Sequence, residues 1–241
     1  MSFYSTKDTT VVILSAGHGT RMLPLTKNTP KPLLKIGDLS LIEHHLVRLK
    51  KLGFENIVIN IAYLGHQIRD ALLSGEKYQL NIQYSDEADT GALETAGGIK
   101  SALPLISSNE FLVINADIWT DYNFTQLLER PLIHDACLVM ITNPKHNPNG
   151  DFSLEPKQEN SYGLLNSHTD NNNRVTYSGI GLYNKDLFKT VDSGKQALGP
   201  VLKKLSKQQR LSGIYYQGVW KDIGTPERLE EIRQNFKKDK V

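Results

Sequence analysis

A three-layer αβα fold, with helices on both faces of a mostly parallel mixed sheet, is predicted for this 241-residue chain by three features. Apolar strand-like runs alternate with segments of helical periodicity through the first half, which is the pattern of βαβ units. The first such run, residues 11–15, passes directly into a glycine-broken loop, as happens where an open α/β sheet meets a ligand. The chain is also long enough, at 39% hydrophobic and 22% charged residues, to bury a full core as one domain spanning 1–241, with its core over about 11–233. The architecture expected is Rossmann-like.

The elements follow in order. After the first strand and its loop, Ser40-Leu41-Ile42-Glu43 reads as a capping box opening a helix. Ile42, Leu46 and Leu49 recur there at helical spacing until Gly53 stops it. Residues 57–62 read as a buried strand, 67–73 as a helix ending near Gly75, and 82–84 as a short strand before a polar loop. Residues 111–114 are the next strand, and 136–142 and 175–183 are β-like. Between those two, 145–173 is rich in Asn, Gly, Lys and Ser and reads as an inserted hairpin or loop region. A closing amphipathic helix is predicted over 225–237, with Thr225 as cap and Pro226 at the first helical position. Neither an internal repeat nor an interdomain linker interrupts this order.

Composition narrows the function classes. With 28 basic and 26 acidic residues the net charge is +2, too balanced for a footprint on nucleic acid or anionic lipid, so small molecules are the expected partners. The single cysteine, Cys137, lies in the apolar run ACLVMIT and reads as a core thiol in a reducing compartment. The polar start MSFYSTKDTT lacks the apolar stretch of a signal peptide. No run approaches the roughly 20 apolar residues that span a bilayer, so a cytoplasmic protein is expected. Without a heptad pattern or an exposed apolar stripe, the chain reads as a monomer or small homo-oligomer.

The chemistry starts in residues 11–34, VVILSAGHGTRMLPLTKNTPKPLL. Here G-x-G at Gly17 and Gly19 is followed by Arg21 and by Lys31, the latter between Pro30 and Pro32. That order suits a triphosphate: the strand fixes the loop, glycines let backbone N–H groups close on phosphate oxygens, and two cations neutralise what remains. Two familiar phosphate loops are excluded. The third glycine of a dinucleotide fingerprint would fall at Met22, and no Gly-Lys-Ser/Thr run follows. A second signal is Asn115-Ala116-Asp117, directly after the strand 111–114, and a third is Trp220-Lys221-Asp222-Ile223-Gly224-Thr225 ahead of the closing helix. Alone, either aspartate reads equally as a turn or cap residue. Together they form a pair of hard oxygen ligands suited to Mg²⁺.

Gly17-His18-Gly19-Thr20-Arg21 with Pro30-Lys31 resembles the signature of the sugar-1-phosphate nucleotidyltransferases, which join an NTP to a sugar phosphate. The N-x-D and W-x-D-x-G-T segments match that family's metal aspartates residue by residue, and Leu93-Glu94-Thr95-Ala96-Gly97-Gly98-Ile99 resembles its segment against base and ribose. The resemblance implies the nucleotidyltransferase fold, Mg²⁺ on Asp117 and Asp222, and catalytic roles for those two with Arg21 and Lys31. It implies nucleotide contacts from Ser15, Ala16, Gly17, His18, Gly19, Thr20, Arg21, Lys31, Glu94, Thr95, Ala96 and Gly97. Sugar-phosphate contacts are implied for Asn115, Trp119, Gly150, Asp151, Ser178 and Gly179; Trp119 reads also as a packing residue and Asp151 as a turn residue.

The combination of Asp117-Ile118-Trp119-Thr120-Asp121-Tyr122 with Gly150-Asp151-Phe152 favours the branch that transfers UMP from UTP to N-acetylmuramic acid α-1-phosphate in peptidoglycan recycling. Three small-for-small departures stand against the family pattern: Ser15 for Ala, Ala116 for Gly and Ala96 for Gly. They spare the catalytic residues and leave base choice open. A second reading is the same chemistry on GTP and mannose 1-phosphate or on dTTP and glucose 1-phosphate. A third is a nucleotide-sensing domain without catalysis, against which the joint presence of Arg21, Lys31, Asp117 and Asp222 argues.

Overall fold

The computed structural model describes residues 3–89, 91–155, 158–167 and 173–238. In chain order its elements are β1 (Thr10–Leu14), β2 (Lys35–Ile36), β3 (Leu39–Ser40), α1 (Leu41–Lys51), β4 (Asn56–Ile61), α2 (Gly65–Leu72), β5 (Asn81–Asp86), α3 (Glu94–Ala102), β6 (Glu110–Asn115) and β7 (Ile118–Thr120). There follow β8 (Ala136–Ile141), β9 (Phe152–Leu154), β10 (Tyr162–Asn166), β11 (Arg174–Asn184), α4 (Lys185–Lys189), α5 (Leu198–Lys207), β12 (Leu211–Tyr216), β13 (Trp220–Asp222) and α6 (Pro226–Lys238).

Among the described residues, nine strands form one sheet in the order β5-β4-β1-β6-β11-β8-β12-β10-β9. Seven of the nine run the same way, β10 and β11 being the two reversed, so the sheet is mixed and mostly parallel as the sequence predicts. β1 and β6 read as apolar runs, and β4 as one interrupted only at Asn60, because a parallel strand under two helical layers is buried on both faces. Alternate side chains then feed separate cores. Val11, Ile13, Ile57 and Ile59 pack with Ile42 and Leu46 of α1 and Ile68 of α2, whereas Val12, Val58 and Val113 pack on the other face with Ile99 of α3, Phe188 of α4 and Leu202 of α5.

The local signals hold. The Ser40 N–H donates to the Glu43 carboxylate at 2.8 Å, closing the capping box that starts α1. Thr225 Oγ1 accepts the Arg228 N–H at 3.4 Å, capping α6. The polar stretch 145–173 contains β9 and β10, paired antiparallel to each other, with β9 also on β11; its residues 156–157 and 168–172 lie outside the described residues. β11 carries a bulge between Tyr177 and Gly181. A third, smaller core fastens α6 across the front of the sheet: Leu229 and Ile232 pack with Ile223, Met22, Leu34, Ile36 and Leu41. Cys137 is buried in β8 as predicted, and burial pushes its thiol up to about 12. Among the described residues no helix is long and apolar enough to cross a membrane.

Candidate active site

At the carboxyl end of β1 the chain turns into the phosphate-type loop. Gly19 has φ +63°, and a Cβ there would stand 3.1 Å from Thr26 Cγ2 and 3.3 Å from Lys31 Cβ, so the turn needs glycine for both conformation and space. The loop closes on its carbonyl, which accepts the Met22 N–H at 2.8 Å and the Thr26 hydroxyl at 2.8 Å. Met22, fully buried in the third core, anchors the short turn Thr20–Met22, leaving Arg21 exposed beside it. Lys31 opens a second turn, Lys31–Leu33, fixed by Pro30 and Pro32.

Lys31 Nζ meets Asp117 Oδ2 at 2.6 Å with the lysine side chain only 11% exposed. β7 and β13 pair antiparallel with Asp222 opposite Ile118, and the Ile223 N–H donates to the Asp117 carbonyl at 2.7 Å. This short ladder joins the two aspartates, 105 residues apart in sequence, at one edge of the cleft. Asp222 Oδ2 is 2.5 Å from Arg228 Nη1, and Oδ1 is 3.4 Å from His146 Nε2. Arg21 Nη1 and Asp222 Oδ2 lie 3.5 and 2.8 Å from the point where a Gly224 Cβ would stand, so that glycine leaves room for the guanidinium and carboxylate to approach.

Arg21, Lys31 and Asp117 border a cavity of about 760 Å³ lined by residues 14–22, Lys31, Asn60, Glu94, Thr95, Asn115 and Asp117, with Lys195 at its rim; Asp222, Arg228 and His146 line a separate pocket of about 490 Å³. Glu94 has φ +59°, a left-handed backbone that glycine adopts without strain, at the first residue of α3. Ala96 and Gly97 do not reach the cavity. Both are buried in α3, and their N–H groups are spent on the Gln196 carbonyl at 2.9 and 3.0 Å.

A second cavity, of about 600 Å³, shares Glu94, Thr95 and Asn115 with the first and continues past Asp151 and Tyr177 to α5. The Asp151 carboxylate accepts the Tyr177 N–H at 2.8 Å and the Asn147 amide at 3.1 Å, bracing the turn before β9. Three residues expected on the sugar side stand behind it. Gly150 (φ +58°) makes the turn itself, and Ser178 and Gly179 form the β11 bulge, where a Gly179 Cβ would be 2.6 Å from Asn115 Nδ2. Trp119 is not brought to either cavity: its ring packs edge-on to His44 at 4.9 Å and Phe236 at 5.9 Å. Trp220 lines neither of these two cavities; its Nε1 donates to the Ser178 carbonyl at 2.9 Å and braces the β11 bulge from behind.

The chain matches the nucleotidyl transferase family over residues 10–239. It belongs to that family. A curated relative, the N-acetylmuramate alpha-1-phosphate uridylyltransferase of Neisseria meningitidis serogroup B, is 46% identical over 227 residues, covering 92% of this chain and 96% of the relative. The Caulobacter vibrioides protein of the same name is 30% identical, covering 90% and 92%. Among solved structures, the UDP-glucose pyrophosphorylase of Acinetobacter baumanii superposes with a TM-score of 0.79 at 14% identity, covering 95% of this chain and 93% of that one. HddC from Yersinia pseudotuberculosis superposes with 0.75 at 22%, covering 95% and 99%. These two show the fold.

In this nucleotidyltransferase, sequence reasoning missed the residues around the predicted ones. Arg228 and His146 flank Asp222, Lys195 stands 3.6 Å from Glu94, and the buried pair Asn60 and Glu87 lies behind the phosphate-type loop. None carries a motif, because each is placed by tertiary packing. The carboxylates available to hold a cation are Asp117 and Asp222, paired here with Lys31 and Arg228, and no cluster of three or more His, Cys, Asp or Glu occurs among the described residues. Hard, acceptor-only oxygens beside an open cavity fit Mg²⁺, which takes its remaining ligands from phosphates and water.

Proposed function

We propose that this enzyme transfers UMP from UTP to N-acetylmuramic acid α-1-phosphate, releasing pyrophosphate, as a salvage step of peptidoglycan recycling in the cytoplasm. The observation that carries the substrate choice is the 46% identity, over nearly the whole of both chains, to the Neisseria uridylyltransferase. The chemistry is supported by the cleft: Arg21, Lys31, the glycine loop and Asp117 line one cavity, and the pairing of β13 with β7 brings Asp222, which lines another, beside Asp117.

The reaction needs little proton transfer, since the attacking phosphate oxygen is already anionic. The task is to align two mutually repelling phosphates in line and to neutralise charge as it moves onto pyrophosphate. Arg21 and the N–H groups around Gly17 and Thr20 hold the β- and γ-phosphates. Lys31 serves the α-phosphate and the incoming sugar phosphate, exchanging its Asp117 partner for a phosphate oxygen when nucleotide binds. Glu94 and Thr95 flank the nucleotide, and Asn115 and Asp151 face the acceptor. Asp117 and Asp222 would hold Mg²⁺, which would supply Lewis-acid polarisation.

A pyrophosphate-release screen of UTP, GTP, dTTP and ATP against N-acetylmuramic acid, N-acetylglucosamine, mannose and glucose 1-phosphates, with and without Mg²⁺, tests this reading. UTP with N-acetylmuramic acid 1-phosphate is expected to give the highest kcat/KM, and only with metal. Preference for GTP with mannose 1-phosphate, or no turnover at all, would overturn it.

A further inference from the structure

Two buried polar side chains link two segments that line the larger cavity. The Ser15 N–H, at the start of the loop, donates to Asn60 Oδ1 at 2.6 Å. Asn60 Nδ2 donates to Glu87 Oε1 at 2.8 Å, and Glu87 Oε2 accepts the Leu93 N–H at 2.8 Å just before α3. Asn60 is 3% exposed and Glu87 1%. The relay crosses the carboxyl ends of β1, β4 and β5 and ends where the Glu94–Thr95 wall begins.

Its polarity admits one arrangement. Both ends are backbone N–H donors, and an ionised carboxylate only accepts, so the amide between them must turn its oxygen to Ser15 and its nitrogen to Glu87. A flipped amide would set N–H against N–H at one end and oxygen against oxygen at the other. The helix behind them is fitted to the same pair: a Cβ at Gly98 would stand 2.7 Å from both Asn60 Nδ2 and Glu87 Oε1, so α3 approaches this closely only because it carries glycine there. Burial pushes the Glu87 carboxyl up, while its hydrogen bonds from Leu93 and Asn60 pull the other way.

We propose that Asn60 and Glu87 are positioning residues that set the distance between the phosphate-binding loop and the segment against base and ribose, and through it nucleotide affinity. The proposal rests on reading the 760 Å³ cavity as the nucleotide site. Reacting phosphates and their donors tolerate little misplacement, so a change in that spacing is read out in binding.

Polarity provides the test. N60D sets two carboxylates face to face, and E87Q sets an N–H against an N–H. The double variant N60D/E87Q runs the chain the other way with the same number of atoms: the new carboxylate accepts from Ser15 and from the new amide, whose oxygen accepts from Leu93. UTP affinity by calorimetry in Mg²⁺, KM for each substrate and the melting temperature are measured on all four proteins. Each single variant is expected to weaken UTP binding by about tenfold, the scale of a buried mismatched donor or acceptor, with KM for the sugar phosphate moving less than about twofold. The double is expected to return to within about threefold of the native UTP affinity.

Singles that lower the melting temperature but bind UTP as the native protein does would make the relay merely structural and overturn the proposal. So would a double variant that fails to fold, or one that folds and binds UTP no better than the singles. Should a single variant not fold, the double still decides. Native protein that binds no UTP would instead overturn the reading of the cavity and leave the relay to be tested with the nucleotide the screen selects.

Discussion

The two walls of the cleft are built differently. The wall proposed for the nucleotide comes from β1, β4, β5 and β6 with the loops that leave them, neighbours in a parallel sheet and mostly neighbours in sequence. The facing wall is assembled from distant pieces: β13 pairs with β7, β11 with β6, and β12 lies parallel to β8. The groups proposed to handle phosphate therefore sit on one contiguous string, whereas the second aspartate and the proposed acceptor side depend on long-range pairing. The two walls meet where the Ile223 N–H donates to the Asp117 carbonyl, and the third core ties Met22 of one to Leu229 and Ile232 of the other.

The largest expected effect tests that junction. Asp117→Asn and Asp222→Asn take one carboxylate from each wall. If the two act as one cation site, each lowers kcat by about a thousandfold, and the double variant is little worse than either single. EDTA should bring the native enzyme to a similar level. A variant that stays folded and loses less than about tenfold would remove its aspartate from the site and separate the walls functionally.

A smaller effect separates the walls by pH. Burial, with Arg48 and His44 beside it, pushes the imidazole of His45 on α1 down to about 4. The unfolded chain therefore takes up that proton first, and stability falls as pH drops from about 6.5 to about 4, on the order of 2–3 kcal/mol. Glu43, on the same helix, is pushed up by burial but brought to about 2 by hydrogen bonds from Tyr78, Ser40 and Lys77. Its contribution is present above about 4.5 and is lost as pH falls toward 2. On the other wall, Cys137 stays protonated to about 12, so the unfolded chain loses that proton first and stability declines as pH rises above about 9. Denaturant midpoints measured across pH should show the acid limb flattened in H45Q and the alkaline limb flattened in C137A. Unchanged limbs would refute these assignments.

The same contrast explains what the sequence made legible. β1, α1, β4, α2 and β6 carry apolar runs, helical spacing or local caps, each a short-range cause that a window of residues displays. β5 reads as only 82–84 because it is an edge strand whose polar Asn81, Gln83 and Asp86 face solvent or the rim. α5 escapes a sequence pattern because Gly199 and Pro200 stand in its first turn, and β12 because Ser212 and Gly213 interrupt its apolar run. In the site, Arg21, Lys31, Asp117 and Asp222 announce themselves through local strings. Asn60 and Glu87 do not, since a polar residue inside a strand or just beyond one has no signature until its partners are known. Gly97 and Gly98 look like a ligand-binding run but are small for packing reasons, against Gly194 and Gln196 in one case and against Asn60 and Glu87 in the other.

The smallest expected effect concerns the two tryptophans, where sequence and structure part. In β7, Ile118 enters the large core and Trp119, pointing the opposite way, enters the small one with Phe236 of α6. Which face the indole takes is decided by the β7 to β13 pairing, a contact between residues about 100 apart that no local pattern encodes. Trp220 holds the β11 bulge through its hydrogen bond to Ser178, and the bulge in turn lets Asn115 lie close over Gly179. W220F keeps the ring and removes one hydrogen bond, a loss of about 1 kcal/mol, so KM for the sugar phosphate should rise about fivefold with KM for nucleotide unchanged. W119F keeps an aromatic ring in the His44 and Phe236 cluster and should leave both KM values native while lowering the melting temperature slightly. The opposite pattern would return Trp119 to the acceptor side and show that the pairing of the short ladder changes when substrate binds.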